Sequence, residues 1–357
     1  MLAAVALLAC VARAWSPLPP RARLALRQED ALRDECAAAA AGASRFEPRV
    51  SENHEVAAVV LEAVARGDDA TLWFPGVEDA AVVAAVAGVV AANADALGCS
   101  AAARRWPSAP APGVALSPSG GEAAAGDRSD VELFNSTRAS DGAAVEASLR
   151  WVDDTLGALR LCPYTRGRAR GAVGLEGVGV ASGPVRAVAA PPGAANLAAA
   201  FFRAVGDLAA TPERELATTL LVSPAYDGDF LGFVGVCDGV VEPLVAATGA
   251  AAVVGRAWFH PSYEAAAVGH DALKPGHALP SAVVRPFVEQ YGAGDPPSDA
   301  ALAAANDAVR RSPHATINLL RRSQLDAAQR LEAALPPERR RPNRIYAANV
   351  QTFLDLS

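Results

Sequence analysis

The sequence predicts an α/β fold: a mostly parallel sheet built from βαβ units with flanking helices, behind a small N-terminal helix-strand-helix unit. Three observations carry this. Thr218 to Ser223 reads TTLLVS, a near-continuous apolar run of the kind that forms a strand buried on both faces. Ala251 to Phe259 is another such run, and the helix-length segment between them has the length of a right-handed crossover. Val145, Leu149, Val152, Leu156 and Leu159 recur at steps of four and three residues, which marks an amphipathic helix opening the domain.

The remaining elements follow in order. Ser51 is expected to cap a helix with Glu52 and Glu55 in its first turn, Val56, Val59, Val60 and Val64 on one face, and Gly67 as its stop. Ala70 to Phe74 reads as a short strand, and Val77 to Leu97 as a second helix ended by Gly98. This unit, residues 45–103, is marginal alone and is expected to pack on the main domain. Residues 104–142 are rich in Pro, Gly, Ser and Ala and read as a linker. The main domain is set at 143–335. It holds strand candidates Val173 to Val180 and Val185 to Ala190, a helix from Ala194 to Leu208, and a glycine-interrupted helix from Asp229 to Ala247. Tyr263 to Ala300 reads as loop, Pro313 to Leu335 as a last helix, and 336–357 as a tail.

The N-terminus has the pattern of a cleavable leader. Leu2 to Ala12 is apolar but too short to span a bilayer of about 30 Å as a helix. Ala12-Arg13-Ala14 supplies the small residues of a signal-peptidase site, so residues 1–14 read as a signal peptide and the mature N-terminus is expected at or after Trp15. Residues 15–44 begin with Arg21, Arg23 and Arg27 and no acid up to Gln28, a transit-peptide composition. The aromatic residue at the cut, followed by Ser-Pro, resembles the bipartite plastid leaders of algae with secondary plastids. Plastid delivery is the leading expectation and secretion the alternative. No transmembrane segment is expected after the leader is removed.

Composition narrows the function classes. A net charge of -7 and a pI of about 5.4 argue against a general nucleic-acid binder, which needs a basic face. Lys274 is the sole lysine. The five cysteines, Cys10, Cys36, Cys99, Cys162 and Cys237, form no CxxC pair, so reduced thiols are expected rather than a disulfide framework or a zinc site. His260, His270, Asp271 and His277 have ligand chemistry but irregular spacing, and no metal site is assigned to them. No cofactor or oligomeric state can be read from the chain.

Four blocks in fixed order carry a family resemblance: Leu161-Cys162-Pro163-Tyr164, Glu215 to Pro224 (ELATTLLVSP), Phe259-His260-Pro261-Ser262-Tyr263, and Arg311-Ser312-Pro313 leading into Leu319-Leu320-Arg321. They resemble the bacterial and algal family of domain of unknown function 1415, with its Cys-Pro-Phe, Thr-Thr-Leu-Leu-Val, Phe-His-Pro and Arg-Ser-Pro blocks, over about 145–335. The resemblance implies a shared fold and no particular reaction. Two departures stand out: Tyr164 replaces the family's Phe, and Asn318 stands where the family usually has a His within the expected last helix.

In open α/β sheets ligands bind beyond the carboxyl ends of the strands. Ser223, followed by Tyr226 and Asp227, ends one strand, and His260, followed by Tyr263, ends another. If the strands are parallel neighbours, both share a rim. Ser312-Pro313 has the form of a helix start, so Arg311 and Ser312 are expected beside His260 as an anion site. Cys162 is the nucleophile candidate, favoured by Arg166, Arg168 and Arg170 and disfavoured by its place after a helix C-terminus. Two readings stand open. In one, the domain binds a small anionic metabolite, with His260 as acid or base, Arg311 on the anion, and Cys162 or Ser223 as nucleophile or orienter. In the other it is a non-catalytic interaction or structural protein of the plastid.

Overall fold

The computed structural model describes residues 44–47, 50, 52–105, 111–119, 139–269, 273–291, 295–336, 339–340 and 344–357. The leader up to residue 43, and His270 and Asp271, lie outside the described residues.

The N-terminal unit comprises β1 (Ser44–Phe46), α1 (Asn53–Arg66), β2 (Thr71–Trp73), α2 (Ala80–Ala92), α3 (Ala94–Leu97), β3 (Cys99–Arg105) and β4 (Pro112–Pro118). Glu52, not Ser51, occupies the N-cap position of α1. The Glu55 carboxylate accepts the Glu52 N–H at 3.0 Å, which satisfies one of the first-turn donors. Gly67 closes α1 in the left-handed region at φ 69°. The sheet order is β1-β2-β4-β3, and β3 and β4 are antiparallel partners in full register from Cys99↔Pro118 to Arg105↔Pro112. The expected 104–142 linker is thus corrected over its first part, where residues 112–118 are a strand. The expected helix-strand-helix unit carries a four-stranded sheet.

The second half comprises α4 (Ala139–Trp151), continuing as the π-helical turn Val152–Gly157, then β5 (Val185–Ala189), α5 (Ala194–Ala210) and β6 (Thr218–Val222). Next come α6 (Phe230–Val236), π-helical Cys237–Val241 and α7 (Glu242–Thr248), then β7 (Val254–Phe259), α8 (Ser281–Tyr291), α9 (Asp299–Ala308), β8 (Thr316–Arg321), α10 (Arg322–Ala334) and α11 (Arg344–Leu356). The sheet order is β5-β6-β8-β7; β5 and β6 are parallel, and β8 runs antiparallel to both β6 and β7. The mostly parallel sheet is therefore corrected to a mixed one, and the fold is α/β with two four-stranded sheets.

Three other expectations change. Val173 to Val180 is no strand but a loop with a 3-10 turn at Glu176–Val178, shaped by Gly174 and Gly179 at positive φ. The expected helix from Pro313 is a strand at Thr316–Arg321 followed by a helix from Arg322. The expected loop contains α8 and the expected tail α11, with α9 starting at the loop's end; their Val284, Val288, Leu302, Ala305, Ala347 and Val350 pack as a cluster of their own.

A single core joins the two halves. α5 buries Leu197, Phe201, Phe202, Val205 and Leu208 against Val56, Val60 and Leu61 of α1 on one side and Leu221, Ile317 and Leu319 of the sheet on the other. Each of those large side chains contributes roughly 1.5–3 kcal/mol on burial. Phe230–Thr248 is long and apolar enough to cross a membrane by length and composition, yet Phe233, Val236, Val240, Val241, Leu244 and Val245 are buried in this same core.

Candidate functional site

The pairing of β8 fixes where the strand ends meet. Thr316 faces Val222 of β6 and Phe259 of β7 in register, so both strands end at one rim with the start of β8 between them. Ser223 and His260 share that rim as expected, although their strands are not neighbours. The Ser223 N–H donates to the Ala315 carbonyl at 2.8 Å, and the His260 N–H donates to the Arg310 carbonyl at 3.0 Å. No helix starts at Ser312, so the expected anion site at a helix terminus is overturned. Arg311 is nevertheless next to the residue that holds His260, with its side chain exposed.

Of the residues expected to act, His260, Tyr263 and Ser312 have structural partners. His260 is fully buried. Its Nε2 is 2.8 Å from the Tyr226 carbonyl, which can only accept, so Nε2 carries the proton. Its Nδ1 accepts the Ser262 N–H at 3.1 Å. Its ring packs on Phe230 and Phe233, with centroids 5.1 and 5.7 Å away. Both nitrogens are thus committed, which removes the acid-base role expected of it. Ser223 is buried, with its hydroxyl unpartnered. Strand alternation turns it with Leu221 towards the core and away from the face that carries Val222 and Thr316. The Tyr263 hydroxyl donates to His277 Nδ1 at 3.1 Å and accepts the Ala278 N–H at 3.0 Å; burial pushes its pKa up to about 12. The Ser312 hydroxyl donates to the His314 carbonyl at 2.6 Å, and the Thr316 hydroxyl donates to the same oxygen at 2.8 Å.

Cys162 is partly exposed in the turn after the π-helical end of α4. Tyr164, two residues on, packs beside Ala217 at the start of β6, which places this turn at the edge of the sheet opposite His260. Arg168, one of its expected activators, is instead tied to Asp153 and Glu146. Asn318 stands in the middle of β8, between Leu220 and Ala257, rather than in a helix.

Two carboxylate–imidazole pairs, one of them at the rim, escaped the sequence reading. Asp227 Oδ2 lies 2.7 Å from His314 Nδ1, and its Oδ1 accepts the Ala315 N–H at 2.8 Å. The carboxylate fixes the proton on Nδ1, so the Nε2 lone pair is free, and Nε2 has no partner among the described residues. Side-chain exposures of 24% for His314 and 31% for Asp227 leave the pair open to solvent. The other pair is inside: Asp238, on the π-helical turn, lies 2.9 Å from His277 Nε2, and the His277 side chain is fully buried. Asp227 was legible as a residue just past β6; nothing local to His314 announced its partner, 87 residues away.

No curated protein and no solved structure matched the chain. A family model did match, from α4 through β7 and the loop after it, stopping short of the Arg311-Ser312-Pro313 block. The match, over residues 143–274, is to the model described as Protein of unknown function (DUF1415), the family that the ordered sequence blocks resemble.

Proposed function

We infer that the α/β half binds a small anionic metabolite at the rim of the second sheet, with His314 as the proton-transfer group. The observation that carries this is the Asp227–His314 pair, a part-exposed imidazole with one nitrogen held at 2.7 Å by a carboxylate and the other unengaged. Such an imidazole accepts a proton at Nε2 while the carboxylate steadies the resulting cation. Two hydroxyls on the His314 carbonyl, from Ser312 and Thr316, hold its backbone in place, so Ser312 becomes a positioning residue in this reading. Arg311, exposed beside the rim, supplies positive charge for the anion.

The rival reading, a non-catalytic interaction or structural protein, draws support from the internal hydrogen bonds of His260, Tyr263 and Ser312. A thermal-shift screen of phosphorylated and carboxylated metabolites separates the two. A ligand of the native fold raises the melting temperature by mass action. At least one compound should do so for the native protein, and His314→Ala and Arg311→Ala should each lose the shift. A screen without a hit, or variants that respond like the native protein, would favour the interaction reading. The plastid destination belongs to this proposal and rests on the leader pattern of residues 1–44 alone.

A further inference from the structure

A groove of about 940 Å³ lies between α1 and α5, where the N-terminal unit meets the α/β half. Among the described residues five carboxylates line it, those of Glu47, Glu52, Glu55, Glu62 and Asp207, against one guanidinium, that of Arg203, which is tied to Glu62. Arg45 and Arg186 reach Glu47 and Asp207 from outside the lining, so acids still outnumber bases. A lining of this sign draws in cations. Among the described residues no three carboxylate, imidazole or thiol groups converge to hold a metal ion, so the charge calls for an organic cation.

Charge alone does not make a site, but His54, in the first turn of α1, adds an acceptor. It is 8% exposed and lines the groove, and its ring nitrogens have no hydrogen-bond partner among the described residues. Neither nitrogen is among the unpartnered atoms that protein encloses completely, so a ligand N–H can reach the ring from the groove. The Nε2 edge faces α5 at Gly206, where a Cβ would lie 3.6 Å away; glycine there puts no side chain over it. A neutral imidazole offers one lone pair, and one held this deep without a donor gains from an ammonium.

The lining also sets the shape of the ligand. Glu55 and Glu62 are two turns apart on α1, about 10 Å along its axis. Between them the wall is apolar, formed by Ala58 and Val59 of α1 and Phe202 of α5. Separated carboxylates with an apolar wall between them match ammonium groups joined by methylenes. We propose that this groove binds a linear aliphatic polyamine. One ammonium donates to His54 beside Glu55, another lies against Glu62, and the methylene chain runs along Ala58, Val59 and Phe202. The groove shares no residue with the rim site and does not depend on it.

Calorimetric titration of the full chain with spermidine at about pH 8, where ordinary imidazoles are neutral, tests it. Spermidine should bind, and octanediol, an uncharged chain of like length, should not. His54→Phe keeps a ring in place and should weaken binding at least about tenfold, the low end for a hydrogen bond with a charged partner. The double variant Glu55→Gln/Glu62→Gln should weaken it about fivefold, the worth of two part-exposed ion pairs. Glutamine keeps the oxygen that accepts the Glu52 N–H, so the start of α1 survives in this variant even if His54→Phe fails to fold. Magnesium at equal charge should not displace spermidine, and His314→Ala and Arg311→Ala should bind it like the native protein. Absence of spermidine binding up to about 1 mM, the weak end of specific recognition, overturns the proposal. Native-like binding by a folded groove variant, equal binding of octanediol, displacement by magnesium, or loss of binding in a rim variant also overturns it.

Discussion

Replacing Arg321 with methionine should destabilise the protein far more than any surface change. Arg321, the last residue of β8, is 9% exposed. Its Nε and Nη2 donate to the Leu216 carbonyl at 2.9 and 2.7 Å, Nη2 also reaches the Thr211 carbonyl at 2.6 Å, and Nη1 reaches the Leu208 carbonyl. One guanidinium thus ties the C-terminal carbonyls of α5 to the residues that lead into β6, where a cation also suits the negative end of the helix. Burial pulls its pKa below the usual arginine value, with only the more distant Glu213 opposing that. Methionine fills similar space but leaves three carbonyls without this donor, each at about 1–3 kcal/mol, less whatever water recovers. A net loss of about 3–5 kcal/mol follows, as for other buried charged groups whose partners are stranded. With urea m-values of about 1–3 kcal/mol/M, the unfolding midpoint should fall by more than about 1 M. Arg321→Lys should land between, because an ammonium cannot fork across these carbonyls. A midpoint within about 0.3 M of the native protein for Arg321→Met would refute the reasoning, since it corresponds to under about 1 kcal/mol.

Two other outcomes are expected. Iodoacetamide should modify Cys162 before Cys99 and Cys237, as peptide mapping by mass spectrometry would show. Burial raises the thiol pKa of both of the latter, that of Cys237 well above its usual value, while Cys162 is partly exposed; earlier labelling of either buried cysteine would contradict the packing. Early labelling of Cys162 therefore reports exposure and does not by itself make it catalytic. The Asp153 carboxyl is raised by desolvation but lowered more by hydrogen bonds from the Arg168 backbone and side chain, both at 2.6 Å, for a net downward shift. A depressed folded-state pKa stabilises above the unfolded value, and that stability is lost as pH falls through the folded one. The urea-midpoint gap between native protein and Asp153→Asn should therefore be full at neutral pH and close below about pH 4, near the ordinary aspartate value. A gap that stays constant with pH would count against this ion pair.

Much of the fold was legible where one signal dominated. TTLLV is buried at every position of β6, and α5 at Ala194–Ala210 covers the helix expected from Ala194 to Leu208. The failures have physical causes. β8 runs straight into α10 at Arg321–Arg322 with no Gly or Pro between, so the two read as one helix, although Thr316 and Ile317 are β-branched and Ile317 and Leu319 alternate. β3 and β4 are built mostly from Ala, Gly, Pro and Ser, which have little strand propensity; their pairing is decided by tertiary contacts. Gly113 is there because a Cβ would lie 2.5 Å from the Trp73 ring. α8 contains Pro286, which made its segment look like loop. Of the site, the shared rim was legible because it depends only on strand direction, and β6 and β7 run the same way. The role of His260 was misjudged because a buried imidazole between Tyr226 and Ser262 has the same sequence signature as an exposed one. The Asp227–His314 pair needed the antiparallel pairing of β6 with β8, which the helical reading of residues 313–335 had hidden.

Histidine nitrogen-15 spectra test the central claim, an open Nε2 on His314 at an anion-binding rim, most directly. His314 is assigned by its loss in His314→Ala. At about pH 9, where ordinary imidazoles are neutral, His314 should be protonated on Nδ1 and bare on Nε2, while His260 and His277 show the opposite tautomer. Adding inorganic phosphate should shift the His314 Nε2 resonance and leave His260 and His277 unmoved. A proton on His314 Nε2, or a His314 signal indifferent to phosphate while the buried histidines respond, would contradict it.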